Sequence, residues 1–145
     1  MARAIESEGM VPDRILCSPA RRTRETLAAL LPYLGGEGRV SIDPSLYDAT
    51  PGDYVAAIVR SGGDAGVLMV IGHNPAIQAT AQLLTGDGEP GLSAEVGAKY
   101  PTGALAVIDF AQAGWSRLEP HSGFLAAFLK PRDLDPAGDG DDEDD

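Results

Sequence analysis

Five consecutive apolar residues, Val67-Leu68-Met69-Val70-Ile71, stand between Gly66 and Gly72, and no other stretch constrains the fold as much. A strand wetted on one side alternates polar and apolar residues. An unbroken apolar run of this length fits a strand buried on both faces of a parallel sheet. Parallel neighbours cannot be joined by tight hairpins, so helical crossovers must lie on either side of the run. The sequence supplies them.

Upstream, Arg14-Ile15-Leu16-Cys17 reads as a short strand broken by Ser18-Pro19, a capping residue followed by a first-turn proline that together start a helix. That helix carries Thr23, Leu27, Leu30, Leu31 and Leu34 at three- and four-residue spacing, one buried face, before Gly35-Gly36 ends it. Val40-Ser41-Ile42 is a brief strand. Thr50-Pro51-Gly52-Asp53 opens a second helix, running through about Val59 and closed by Gly62-Gly63. After the apolar run, Pro75 opens a third helix with Ile77, Leu83 and Leu84, ending at Gly86. Asp87 to Lys99 reads as loop with one helical turn, Ala104 to Phe110 as a strand, and Trp115 to Leu118 with Phe124 to Leu129 as a closing pair. The alternation gives an α/β fold, a mostly parallel sheet flanked by helices on both faces. Ala2 to Glu8 has helical composition and Gly9 is a C-terminal stop, but no cap or strand introduces that helix, as though the chain began in mid-element.

The net charge of −11 is misleading, because eight of the 22 acids lie between Asp133 and Asp145, a run without a base, which leaves −3 for the rest. Residues 133–145 read as a solvated acidic disordered tail, and residues 1–132 as one domain. Nothing supplies the basic stripe that nucleic acid demands, and no apolar run approaches the roughly 18 residues of a membrane span. The first residues mix charges of both signs and lack the apolar core of a secretory signal, so the expected location is cytoplasmic. Cys17 is the only cysteine, which excludes an internal disulfide and a cysteine-based zinc site.

Ligands of open α/β sheets sit beyond the carboxyl ends of strands. Two strand-to-helix junctions carry unusual polar residues there. In Ser18-Pro19-Ala20-Arg21-Arg22-Thr23, Arg22 falls in a first helical turn, where backbone N–H groups and the helix dipole already favour an anion and a guanidinium adds a forked pair of bonds. The alternative is an ordinary solvated surface arginine. In Gly72-His73-Asn74-Pro75, His73 can donate to a phosphoryl oxygen or carry a proton. The alternative is a histidine capping the next helix. Cys17 is no cysteine-phosphatase nucleophile, since that class has arginine six positions on, where this chain has Thr23. It reads as a small buried hydrophobe.

Ser18-Pro19-Ala20-Arg21-Arg22-Thr23-Arg24-Glu25-Thr26 resembles the Ser-Pro-x-x-Arg-x-x-x-Thr motif of the histidine phosphatase (phosphoglycerate mutase-like) superfamily, and Gly72-His73-Asn74-Pro75 resembles its second histidine motif. The branch most resembled is that of SixA-type phosphohistidine phosphatases, whose pattern Leu46-Tyr47-Asp48-Ala49, Tyr100-Pro101-Thr102-Gly103-Ala104 and Leu129-Lys130-Pro131-Arg132 also match. The resemblance implies that Arg22 and His73 bind the transferred phosphoryl group and stabilise its charge, without a metal or other cofactor. It also implies a nucleophilic histidine in an Arg-His-Gly motif at the end of a first, central strand. Neither histidine of this sequence fits, because Gly72 precedes His73 and Pro120 precedes His121, which reads as a loop residue. The expectation is therefore an N-terminally incomplete domain lacking that first central strand, with Met1 internal to a longer reading frame or the chain a fragment of a longer protein.

The implied activity is a phosphatase acting on protein phosphohistidine or a small phosphate ester through a phosphohistidine intermediate. The sequence shows no matched acid for a poor leaving group; Glu25 and Asp48 are the acids near the motifs. The alternative is a catalytically inactive phosphate-binding or interaction domain. A sugar-phosphate mutase ranks lower, for want of a substrate lid.

Overall fold

The computed structural model describes Ile5, residues 10–33 and residues 39–131. The expected first helix apart from Ile5, the position of Leu34, the Gly35-Gly36 stop, Arg132 and the acidic tail lie outside them. The described residues divide into two compact units, one holding those up to Thr80 together with Gln112–Leu118, the other Ala81–Ala111 and the described residues from Glu119 on.

In the first unit three parallel strands, β1 (Arg14–Cys17), β2 (Arg39–Ile42) and β3 (Leu68–Ile71), are ordered β2-β1-β3. The central strand is β1, where Ile15, Leu16 and Cys17 are fully buried. Helix α1 (Arg21–Leu30) joins β1 to β2, and α2 (Pro51–Ser61) joins β2 to β3. The chain steps from β1 to one neighbour and then crosses to the other. The right-handed crossover rule therefore sets α1 and α2 on opposite faces of the sheet. The α/β class with a parallel, helix-flanked sheet is thus as the sequence indicates.

The details correct several expectations. Pro19 and Ala20 form a bend, Ser18 Oγ accepts from the Ala20 N–H (3.2 Å), and the helix begins only at Arg21. Thr23 and Leu27 are buried on α1, but Leu31 is 42% exposed because the chain tightens there into a 3₁₀ turn, Leu31–Tyr33, and rotates off the helical face. On α2 the capping box is complete: Thr50 Oγ1 accepts from Asp53 N–H (3.2 Å) and Asp53 Oδ2 from Thr50 N–H (2.9 Å). Strand β3 is covered less than its five apolar residues suggest. Met69 and Ile71 are buried, while Leu68 and Val70 are half-buried and Val67 is 39% exposed, since among the described residues β3 is an edge strand of this sheet.

Asp13 fixes where β3 starts. Its Oδ1 accepts from Val67 N–H (2.9 Å), its Oδ2 from Gly66 N–H (3.1 Å), and its own N–H donates to Val67 O (3.0 Å). The Val67 and Gly66 amides hold the carboxyl below its usual range. A carboxyl depressed in the folded state stabilises the fold above its unfolded pKa and loses that contribution as pH falls through its folded value. Asp13→Ala is expected to cost about 1 kcal/mol at neutral pH, a figure kept low because the group is exposed. The gap from the parent in urea unfolding should close below about pH 4. An equal gap at pH 7 and pH 3 would refute this.

In the second unit β6 (Gly123–Leu129) lies between β4 (Thr85–Gly88), parallel to it, and β5 (Leu105–Asp109), antiparallel to it. Helix α3 (Ala76–Leu84), within which the chain passes from the first unit to the second, runs directly into β4, and α4 (Leu92–Ala98) follows. Ala81, Val96, Leu125 and Phe128 form the core, packed by Tyr100, Ala106 and Ile108. The expected loop from Asp87 to Lys99 thus contains a strand end and a helix. The expected closing pair is also corrected: β6 pairs with β5 and β4, whereas Trp115 to Leu118 is a turn of the first unit whose indole donates to Ala65 O (2.8 Å).

Candidate active site at the β1 and β3 carboxyl ends

The strand order 2-1-3 places a topological switch point between β1 and β3, and open α/β sheets bind their ligands at such a point, beyond the carboxyl ends of the strands. Both candidate motifs begin there. Cys17 and Ile71 are paired residues of the ladder, and Ser18 N–H continues it to Ile71 O (3.1 Å), so Arg22, in the first turn of α1, and His73, in the turn after β3, follow adjacent strands at one end of the sheet.

The first loop is stiffened from inside. Ser18 is fully buried and Thr23 nearly so, and Thr23 Oγ1 lies 2.8 Å from both Ser18 O and Ala20 O. The three arginines that follow differ. Arg21 Nε pairs with Glu25 Oε2 (3.0 Å) one turn on, and Arg24 Nε donates to Pro19 O (2.9 Å). Arg22 is exposed, and its guanidinium is committed to no described residue; only its carbonyl is used, by Thr26 Oγ1 (3.1 Å). In its helical turn the freely available cation is therefore Arg22. Cys17 is fully buried, its thiol facing the carbonyls of Ser18 (3.3 Å) and Thr23 (3.6 Å), and burial raises its pKa. This thiol is a core group.

His73 is half-buried, and its carbonyl accepts from Ile77 N–H (3.0 Å), starting the bonds of α3. Pro75, expected as the first helical residue, lies instead in the turn before Ala76, behind a cis Asn74-Pro75 bond. Sequence reasoning missed Tyr54, a fully buried residue of α2 whose ring lies against Gly72. A tyrosine on an apolar helix face reads as core, and nothing in the sequence says where its hydroxyl points.

A third loop leaves the same end after β2. Asp43 Oδ1 accepts from the Ser45 amide (2.9 Å) and hydroxyl (2.8 Å), and Asp43 Oδ2 from Arg60 Nη2 (2.8 Å). Burial would raise the Asp43 pKa, but these bonds outweigh it and the net shift is downward. Leu46 and Ala49 anchor the loop in the core, while Tyr47 is 64% exposed and Asp48 takes a left-handed conformation (φ 56°).

His121 stands elsewhere. It is an exposed loop residue of the second unit with φ 59°, held by its N–H to Leu83 O (2.8 Å). A cavity of about 170 Å³ in that unit, lined by Gln82, Thr85, Ser93, Val96 and Leu125, offers no cation and is smaller than the roughly 300 Å³ of ordinary ligand pockets. Among the described residues no three His, Cys, Asp or Glu side chains converge as a metal site would require, and no helix is long and apolar enough to cross a membrane.

No family model matches the chain. It is 35% identical over 121 residues to the uncharacterized protein ML1117 of Mycobacterium leprae, covering 83% of this chain and 72% of that one, and it belongs to the same family. Two solved structures assigned as phosphohistidine phosphatase SixA share its fold. The one from Nakamurella multipartitia has a TM-score of 0.72 and 27% identity over 90% of this chain and 81% of its own. The one from Agrobacterium tumefaciens has a TM-score of 0.70 and 28% identity over 90% and 75%. The fold is that of SixA-like histidine phosphatases.

Proposed function

We propose that this domain is the phosphate-gripping part of a phosphatase of the histidine phosphatase superfamily, acting on protein phosphohistidine or a small phosphate ester. The observation that carries the reading is the uncommitted Arg22 guanidinium in the first turn of α1, after the strand paired with the one that leads to His73, at the switch point of a fold shared with structures assigned as phosphohistidine phosphatases. Phosphoryl transfer depends chiefly on fixed positive charge and hydrogen-bond donors around the equatorial oxygens. Arg22 supplies a fork of donors and His73 an imidazole N–H.

The attacking imidazole is neither His73 nor His121, and the proposal assigns it to a histidine outside these 145 residues. Its nitrogen bonds to phosphorus as the bond to the leaving group breaks. Water then cleaves the N–P bond, releasing inorganic phosphate and restoring the imidazole. A phosphohistidine substrate leaves as an imidazole, which asks less of a general acid than an alkoxide does. That fits a site where Glu25 is paired with Arg21.

The absence of Arg-His-Gly around either histidine favours a second reading, an inactive phosphate-binding or interaction domain. Hydrolysis of p-nitrophenyl phosphate separates the two. The 145-residue protein is expected to bind inorganic phosphate without turnover, and the same domain extended by the residues encoded upstream in frame to turn over, with loss on His73→Ala. Turnover that His73→Ala leaves intact would defeat the assignment of His73. An extended protein that binds phosphate but never hydrolyses would leave the inactive domain as the answer.

A further inference from the structure

Among the described residues Tyr54 is the largest fully buried side chain, yet its hydroxyl has no hydrogen-bond partner of proper geometry there. Buried hydroxyls are nearly always satisfied, so an orphan in a native core asks for a reason. Its position gives one. A Cβ added at Gly72 would fall 2.1 Å from Tyr54 Oη and 2.7 Å from Cε1 and Cζ, so the phenol end lies directly against the backbone that carries His73. Burial raises the phenol's pKa, and the His73 backbone N–H acts against the rise.

We infer that Tyr54 is a positioning residue for His73: its ring sets the height of the Gly72-His73 turn, and its hydroxyl is the acceptor onto which the His73 amide closes when the imidazole engages a phosphoryl group. Hydrogen bonds that orient a site are commonly long or misaligned in the free protein and tighten on binding. An acceptor held dry and unsatisfied beside the turn favours the closed arrangement. The proposal rests on the reading of His73 as a phosphate ligand.

Tyr54→Phe keeps the ring and removes only the oxygen. If the hydroxyl were merely structural, its loss would lower stability and leave affinity unchanged. If it positions His73, removing a buried unsatisfied group should leave the thermal midpoint unchanged or higher, while inorganic phosphate binds about five- to tenfold more weakly, the worth of one hydrogen bond. The measurements are calorimetric titration with inorganic phosphate, and amide exchange at His73 by NMR, for the parent and Tyr54→Phe. Exchange at His73 should be alike in the two free proteins, and phosphate should slow it in the parent only. Equal affinity, or equal protection of the His73 amide by phosphate in both proteins, overturns the proposal. If the parent binds no phosphate, the reading of His73 as a phosphate ligand fails and this proposal falls with it; a parent that binds phosphate while Tyr54→Phe matches it overturns the proposal alone.

Discussion

Gly72→Ala will destabilise the protein by about 3 kcal/mol, at the upper end of what overpacking a well-filled core costs, and lower its thermal midpoint by roughly 10 °C. Gly72 is outside the left-handed region, so backbone freedom is not the cause. The cause is the 2.1 Å from an alanine Cβ to Tyr54 Oη, with a ring that is fully buried and has nowhere to swing. Coupling follows. In a Tyr54→Phe background the worst contact disappears while those to Cε1 and Cζ at 2.7 Å remain, so part of the loss, about 1 kcal/mol or more, should be recovered in a double-mutant cycle. Gly52→Ala is the control of opposite sign. Gly52 lies in the first turn of α2, and an added Cβ meets only Thr50 Oγ1 at 3.8 Å, so alanine should stabilise by roughly 0.5 kcal/mol. Equal stability of the parent and Gly72→Ala, or a strictly additive cycle, would show that Tyr54 and Gly72 are not in contact.

The first unit was largely legible because its signals are local. Thr50, Pro51 and Asp53 announce their helix through bonds within four residues, and the runs at Arg14 and Val67 are strands by composition. The second unit was less so. Thr85-Gly86-Asp87-Gly88 has almost no intrinsic strand preference, and it becomes β4 because its glycines allow close approach to distant chain: an added Cβ would fall 2.0 Å from His121 O at Gly86 and 2.9 Å from Leu125 Cβ at Gly88. Trp115 to Leu118 misled for the same reason, since Gly63 and Ala65, far away in sequence, hold it. At the site, Arg22 and His73 could be named from junction chemistry. Which arginine is free and what backs the histidine depend on side-chain geometry, and motif spacing is silent on both.

Among the arginines of α1, Arg22→Ala should weaken inorganic phosphate binding by about 10- to 100-fold, the worth of a forked charge-assisted pair of hydrogen bonds. Stability should stay within about 0.5 kcal/mol, because the side chain is exposed and supports nothing in the fold. Arg21→Ala provides the contrast. Its guanidinium is engaged by Glu25, both partners are well exposed, and its loss removes only a weak ion pair, so binding should fall less than twofold. Arg24→Ala releases the Pro19 carbonyl and tests whether the loop needs that tether. Arg22→Lys keeps the charge but not the fork, and its affinity should lie between the parent and the alanine variant. Titrations at two ionic strengths separate contact from field. A general attraction by three arginines would be screened and would decline similarly whichever one is removed, whereas a direct ligand leaves most of its effect at high salt. Equal losses for Arg21→Ala and Arg22→Ala, vanishing together as salt rises, would mean that this helix start is a diffusely basic surface and that the phosphoryl group is held elsewhere.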